Sequence, residues 1–260
     1  MNADSKLSAG IAARSQAELG FWRMFGRHCQ NSVRYYGLRH TVVQIAEAAY
    51  RFFCEFLPGR RKAKYGDLDY DFDHMVDTTR ANVSFRAQLT AALSGHQYFP
   101  TEPWLFEQIM QALPIHFREF TFVDLGSGKG RVLLMATPCG FKRIIGVEFM
   151  PEWHRIAQGN IRKFAATCPI ASPIQSFCMD ARDFDFPAGP LVVYLFNPFP
   201  EPALAVVLEQ LRQSMVANPR PVFVAYRYPE FDSLIQKSGW LRKIEGTEQW
   251  AVYRNRRHHA

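Results

Sequence analysis

Hydrophobic positions along the chain change period near residue 100. Before it the spacing is helical: from Thr41 to Leu57, Val42, Ile45, Ala49, Phe52, Phe53 and Phe56 recur at three- and four-residue intervals. That spacing predicts an amphipathic helix, ended by Pro58-Gly59. Its polar positions set Glu47 and Glu55 against Arg51 and offer no lysine-rich face, so it is expected to dock on the protein's own core rather than on a membrane. From Thr101 onward, helix and strand patterns alternate. "PWLFEQIMQAL", "GRVLLMATPC", "EWHRIAQGNIRKFAA" and "PALAVVLEQLRQSMVA" read as helices, and "FTFVDLG", "RIIGVEF", "IQSFCMDA", "PLVVYLFN" and "PVFVAYRY" as strands. Such alternation implies an α/β fold with a doubly wound, mostly parallel sheet. The end differs: after a short helix in "FDSLIQKSG", "WLRKIEG" and "EQWAVYR" predict a terminal antiparallel hairpin. Residues 1–100 are thus expected to form a helical N-terminal extension or cap that helps select the substrate, and residues 101–260 the α/β domain.

Composition agrees. A chain of 260 residues with 48% hydrophobic content can bury the core of such a domain. No run of eighteen apolar residues occurs, and the N-terminus has no basic region followed by an apolar one. A cytoplasmic protein without stable membrane insertion is therefore expected. Five cysteines without a CxxC pair argue against a disulfide framework and a zinc site. The net charge of +7 permits attraction to nucleic acid or an acidic partner, but it is spread over both parts of the chain. The "RRKAK" run is too short to be an RNA-binding arm.

That basic run precedes Asp67, Asp69, Asp71 and Asp73. The alternating aspartates resemble a calcium loop, but an EF-hand starting at Asp67 needs glycine and glutamate where Phe72 and Thr78 stand. No metal site is expected. The pattern reads instead as a solvated turn or edge strand with Leu68, Tyr70 and Phe72 facing inward.

The chemistry concentrates in "FVDLGSGKGRVLLM", where Gly126, Gly128 and Gly130 separate the first strand from a helix. Glycines there let a backbone approach a ligand closely, and a helix start offers free N–H groups. A Walker loop requires G-x-x-x-x-G-K-[ST] and a dinucleotide fingerprint G-x-G-x-x-G; neither spacing is present. A second acid, Glu148, closes the next strand, where a carboxylate suits a ribose diol. Asp124 at the loop would repel a pyrophosphate and suits a ligand with an ammonium group and no phosphate.

These residues resemble motif I and the following acidic strand end of the class I S-adenosylmethionine-dependent methyltransferases, over roughly residues 98 to 254. The resemblance implies a seven-stranded sheet closed by a reversed hairpin, and S-adenosylmethionine as cofactor. It places Asp124, Gly126, Ser127 and Gly128, in the loop that Gly130 ends, around the methionine part and Glu148 on the ribose. It puts Phe149 or Met150 on the adenine, with Asp180-Ala181 at the adenine-contacting strand end.

The fourth strand ends in Asn197-Pro198-Phe199-Pro200, similar to the N-P-P-[FY] signature of methyltransferases acting on amide or base nitrogens. There an asparagine side chain and a proline carbonyl accept hydrogen bonds from the target and an aromatic ring stacks on it. Here one proline precedes Phe199, so the ring sits one residue early. The plain reading is that Asn197 caps the loop and the prolines end the strand. Upstream, "YFPTEP" resembles the Y-x-P-[ST]-P segment of some seven-strand lysine methyltransferases, which would bring Thr101 or Glu102 to the methionine end or a substrate amine. Alternatively Thr101 is an N-cap with Pro103 in the first turn. Glu102, Asp183 or Asn197 could take the acceptor's proton. His74, His96, His116 and His154 have no motif partner.

The leading expectation is a methyltransferase for a nitrogen, amine or amide, on a protein or small molecule, with RNA less favoured. Two other classes remain open at this point: a non-catalytic Rossmann-like module binding nucleic acid or protein, and an NAD-linked oxidoreductase.

Overall fold

The computed structural model describes residues 68–79, 99–170, 172–197 and 199–256, with scattered positions between 26 and 50. The chain divides into two compact units, residues 1–57 with 84–95, and residues 58–83 with 96–260. Of the helix expected from Thr41 to Leu57, residues 41–43, 46 and 50 are described and helical, and the remainder lies outside the described residues. Val42, expected on the buried face, is 55% exposed. Thr41 is buried instead, its hydroxyl satisfied by the Gly37 carbonyl one turn earlier at 3.1 Å.

In the second unit the described helices are α1 (Leu68–His74), α2 (Pro103–Gln111), α3 (Arg131–Met135), α4 (Pro151–Thr167), α5 (Glu201–Ala217) and α6 (Asp232–Lys237). The strands are β1 (Thr121–Leu125), β2 (Arg143–Glu148), β3 (Ile174–Cys178), β4 (Leu191–Phe196), β5 (Val222–Arg227), β6 (Leu241–Gly246) and β7 (Trp250–Asn255). They form one seven-stranded sheet in the order β3-β2-β1-β4-β5-β7-β6. The first five strands are parallel, and β7 runs antiparallel to both β5 and β6. Chain order reverses between β1 and β4, so the ligand crevice is expected outside their C-terminal ends.

Both faces of the sheet are covered, which explains strands such as "TFVDL" that are buried at every position. Val123, Leu125, Val193, Leu195, Val224 and Tyr226 face one core, completed by Leu204, Val207, Leu208 and Leu211 of α5. Phe122, Val192, Tyr194, Phe223 and Ala225 face the other, completed by Leu105, Phe106 and Ile109 of α2 and by Val132 and Leu133 of α3. The period-two alternation thereby fixes which face each polar residue at a strand end joins. Asp124 follows Phe122 onto the α2 face, in direct register with Tyr194.

Three local expectations need correction. The aspartate-rich stretch is the helix α1, and Phe72 is 85% exposed rather than inward. The helix ends where Met75 takes a left-handed φ of 52°, and the Asp71 carboxylate accepts the amides of Thr78 at 2.8 Å and Thr79 at 2.6 Å. Those amides are therefore unavailable to a sheet ladder. "GRVLLMATPC" is helical only over Arg131–Met135, after which Pro138 opens a short 3₁₀ turn over Thr137–Cys139. "IQSFCMDA" pairs only to Cys178, because Asp180 caps the next 3₁₀ turn by accepting the Arg182 amide at 2.9 Å.

Candidate active site

Gly126, Gly128 and Gly130 have φ values of 83°, 53° and 85°. At Gly130 a Cβ would also stand 3.1 Å from the Ala157 Cβ of α4. Glycine is required for a left-handed backbone packed this closely. Four of the loop's amides are committed within the protein. Gly126 and Ser127 donate to the Val147 carbonyl at 2.8 and 3.1 Å, Gly128 to Glu148 Oε2 at 2.8 Å, and Gly130 to the Ser127 carbonyl at 2.8 Å. These four N–H groups are therefore not free for a phosphate cradle. The loop's two cations point elsewhere too. Lys129 Nζ lies 3.2 Å from Asp77 Oδ1, and Arg131 donates to the Thr78 and Thr79 hydroxyls at 2.8 and 3.1 Å.

Glu148 is buried at the C-terminal end of β2. Its Oε1 accepts the Met150 amide and its Oε2 the Gly128 amide, both at 2.8 Å. Burial pushes its pKa up to about 7 despite these hydrogen bonds. The Phe149 amide is a third backbone donor to this carboxylate, which keeps a lone pair for a ligand hydroxyl. Asp124 is buried as well, and desolvation first, then the nearby Glu148 charge, raises its pKa well above the usual carboxylate range. Two mutually repelling buried carboxylates gain from a cationic ligand. Ser127 adds a buried Oγ with no hydrogen-bond partner.

At the expected adenine side, Met150 is buried and Phe149 half-buried, and both begin the turn into α4. Ala181 is buried at the start of the 3₁₀ turn after β3, whereas the Asp180 carboxylate is held by Arg182 at 2.6 Å. Asp183 is exposed.

A second cluster lies on the α2 face, where the ends of β4 and β5 meet the start of α2. Thr101 is buried, and its hydroxyl shares a 3.0 Å hydrogen bond with Tyr194 of β4. The N-cap of α2 is Glu102, followed by Pro103 at the first position, so Thr101 is not the cap. The Glu102 carboxylate is half-exposed and receives Arg227 of β5 at 3.2 Å. Burial pushes the Tyr194 phenol pKa up, so it stays neutral and able to donate.

At the end of β4 Asn197 takes a left-handed φ of 40°, and its Oδ1 accepts the Tyr226 hydroxyl at 2.6 Å. Phe199 packs against the core on the α5 face, and Pro198 lies outside the described residues. The structure thus gathers Thr101 and Glu102 at one polar cluster, Asp124, Glu148 and the loop at another, and anchors Asn197 on Tyr226. Sequence reading missed Tyr194, Tyr226 and Arg227. Their signal was a polar or charged tip on otherwise apolar strands ending at the crevice.

A loop with four amides spent within the protein and its cations turned away is poorly suited to phosphate. A ribose diol and a cationic, phosphate-free tail fit the donor set, and S-adenosylmethionine carries both. The family model described as "Histone methylation protein DOT1" matches residues 87–186, which include α2, the glycine loop, Glu148 and Asp180. Over those residues the chain is similar to a methyltransferase family, and match, fold and site together fit a class I, Rossmann-like methyltransferase with S-adenosylmethionine as cofactor. Its seven-stranded sheet and terminal hairpin are as the resemblance implied.

Among solved structures, the chain is similar to an RNA methyltransferase from Salinibacter ruber in complex with S-adenosyl-L-homocysteine, at 21% identity and TM-score 0.40 over 60% of this chain and 92% of that one. It is similar also to the N-methyltransferase NodS from Bradyrhizobium japonicum, at 14% identity and TM-score 0.42 over 61% and 100%. A ribosomal protein methylase from Lactobacillus delbrueckii subsp. bulgaricus matches at 17% identity and TM-score 0.41 over 60% and 77%. No curated protein matches the chain. Among the described residues no helix is long and apolar enough to cross a membrane.

Proposed function

We propose that the enzyme methylates a nitrogen, and that its acceptor is the side-chain amine of a lysine on a protein. The observation that supports this most is the set of hydrogen-bond acceptors at the crevice. Glu102 brings an anionic carboxylate at the start of α2, and Asn197 brings an amide oxygen at the end of β4, oriented by Tyr226. An ammonium group needs such acceptors, both to be drawn in and to be aligned. The matching family model, described as a histone methylation protein, supports a protein acceptor. So does the "YFPTEP" segment, which delivers Glu102 to this cluster.

The geometry supports the following roles. S-Adenosylmethionine supplies an electrophilic methyl group on a sulfonium. Asp124, Ser127, Glu148 and the glycine loop would hold it. An amine attacks only as the neutral base, so the acceptor must lose a proton first. Glu102 takes that proton, while Arg227 keeps the carboxylate in position. Asn197 Oδ1 has a lone pair beyond the one used by Tyr226, and with it orients an N–H of the amine.

The test uses the full-length protein with radiolabelled methyl donor and three separate acceptor pools: cellular protein, small amines and RNA. Acid-stable label recovered as methyl-lysine from the protein pool is expected. Label confined to RNA, or released from protein by mild base as a methyl ester, would overturn the reading.

A further inference from the structure

The two cations inside the glycine loop raise a separate question, independent of the acceptor. Lys129 is fully buried and Arg131 nearly so. Burying a charge costs several kcal/mol, of order, unless partners compensate, so a loop that buries two must obtain something from their partners. Those partners lie more than fifty residues earlier in the chain, in the segment after α1. Val76 anchors that segment in an apolar cluster with Leu134 of α3 and Phe164 of α4. Asp71 folds it by accepting the Thr78 and Thr79 amides, and the Thr78 hydroxyl also donates to Asp71. The two threonine hydroxyls then face Arg131, whose guanidinium also lies 4.6 Å from the Tyr70 ring centroid and 3.8 Å from Asp71.

A second set of contacts is built around Asn160 of α4. Its amide group donates to the carbonyls of Asp77 and of Lys129, both at 2.9 Å, and its Oδ1 accepts the Asp77 amide at 2.9 Å. One side chain thereby binds the strap and the glycine loop at once. Arg131 extends the connection by donating to the Thr101 carbonyl at 3.4 Å, and the Thr101 hydroxyl meets Tyr194. Strap, glycine loop and the start of α2 form one hydrogen-bonded network behind the cofactor site.

We infer that residues 71–79 are a strap that positions the cofactor loop, with Lys129, Arg131 and Asn160 as the positioning residues that bind it. Lys129 lies between Gly128, which donates to Glu148, and Gly130, which packs on Ala157. Holding Lys129 by side chain and carbonyl fixes both glycines. A loop of three left-handed glycines has many unbound conformations, and each restraint lowers the entropy lost when the ligand orders it. On this inference the strap acts on the cofactor through the loop.

The test is made on the full-length protein with Thr78→Val, Asp77→Asn and Asn160→Leu, reading S-adenosylhomocysteine affinity by calorimetry and hydrogen exchange of a peptide spanning residues 126–131. Binding weakened roughly tenfold or more, with exchange accelerated in that peptide, is expected. Combining Thr78→Val with Arg131→Ala should cost little beyond the larger single effect, because both remove one contact. Should Arg131→Ala or Asn160→Leu fail to fold, Thr78→Val and Asp77→Asn carry the test, since they alter the strap alone. A lowered melting temperature with unchanged affinity and unchanged exchange in the loop would reduce the strap to scaffold and overturn the inference.

Discussion

The amide of Gly128 donates to Oε2 of Glu148 at 2.8 Å, which ties the centre of the glycine loop to the carboxylate that ends β2. The same carboxylate is half-ionised near neutrality, because burial pushes its pKa up to about 7. The loop's anchor is therefore sensitive to pH in the range where the enzyme would be assayed.

The sign follows from linkage. The folded protein holds the Glu148 proton more tightly than the unfolded chain, so stability is greatest below the carboxyl's ordinary pKa of 4.5 and is lost as pH rises through about 7. The loss amounts to about 3 kcal/mol at most, at roughly 1.4 kcal/mol per unit. Asp124 shifts in the same direction, first by burial and then by the Glu148 charge. Urea unfolding of the ligand-free protein from pH 4.5 to 8 should show this decline, and Glu148→Gln should flatten it. The variant is also less stable throughout, since a glutamine sets its NH₂ against the backbone amides that donate to the carboxylate. S-Adenosylhomocysteine should bind more tightly from pH 6 to 8, because hydroxyl donors favour the ionised carboxylate. A flat wild-type profile would exclude Glu148 as the titrating group.

Gly146 of β2 stands in register with Asp124, and its lack of a side chain makes room for the loop. A Cβ there would lie 2.6 Å from Leu133 Cδ1 and 2.8 Å from Ser127 Oγ. Leu133 is fully buried and has nowhere to retreat. Gly146→Ala is expected to lower stability by about 1–3 kcal/mol, as overpacking does, and to weaken S-adenosylhomocysteine binding by displacing Ser127. Urea midpoints and calorimetry check both. Unchanged values would mean that the loop shifts without cost.

Most of the sheet was legible because each strand carried its own period and its own boundaries. The glycine loop and Glu148 were legible because they end two such strands. What could not be read was set by long-range pairing. Asp71 and Thr78 belong to a folded strap only because Arg131 receives them from 50 residues further on or more. Locally, "LDYDF" alternates as a solvated turn or edge strand would. Thr101 looks like a helix cap, yet its hydroxyl is taken by Tyr194, 93 residues away. Lys129 and Arg131 resemble ligand cations until the strap is placed over them.

The Thr101–Tyr194 contact carries its own prediction. The two hydroxyls are buried and satisfy each other at 3.0 Å. Tyr194→Phe strands the threonine and Thr101→Val strands the tyrosine, each at a cost of about 1–3 kcal/mol. The double variant strands neither, so it should be more stable than the sum of the singles implies. A double-mutant cycle on urea midpoints measures the coupling. Additive losses would mean that the two groups do not depend on each other.

Asn197 combines a backbone role with a side-chain role, and two substitutions separate them. Its φ of 40° lies in the region that asparagine tolerates better than most residues and glycine best of all. Asn197→Ala should therefore cost about 1–2 kcal/mol in backbone strain, whereas Asn197→Gly should remain closer to wild type in melting temperature. Both remove the Oδ1 that accepts Tyr226 and, on the proposed function, the acceptor amine. Both should lose methyl transfer by roughly a hundredfold or more, in the range found when one aligned polar group is removed from an active site. S-Adenosylhomocysteine affinity should be retained, which separates lost chemistry from lost cofactor binding. Tyr226→Phe leaves Oδ1 in place but unoriented, so its loss should be smaller. If Asn197→Gly kept full activity, the residue's contribution would be the turn it allows, and the amine would have to be aligned by Glu102 alone.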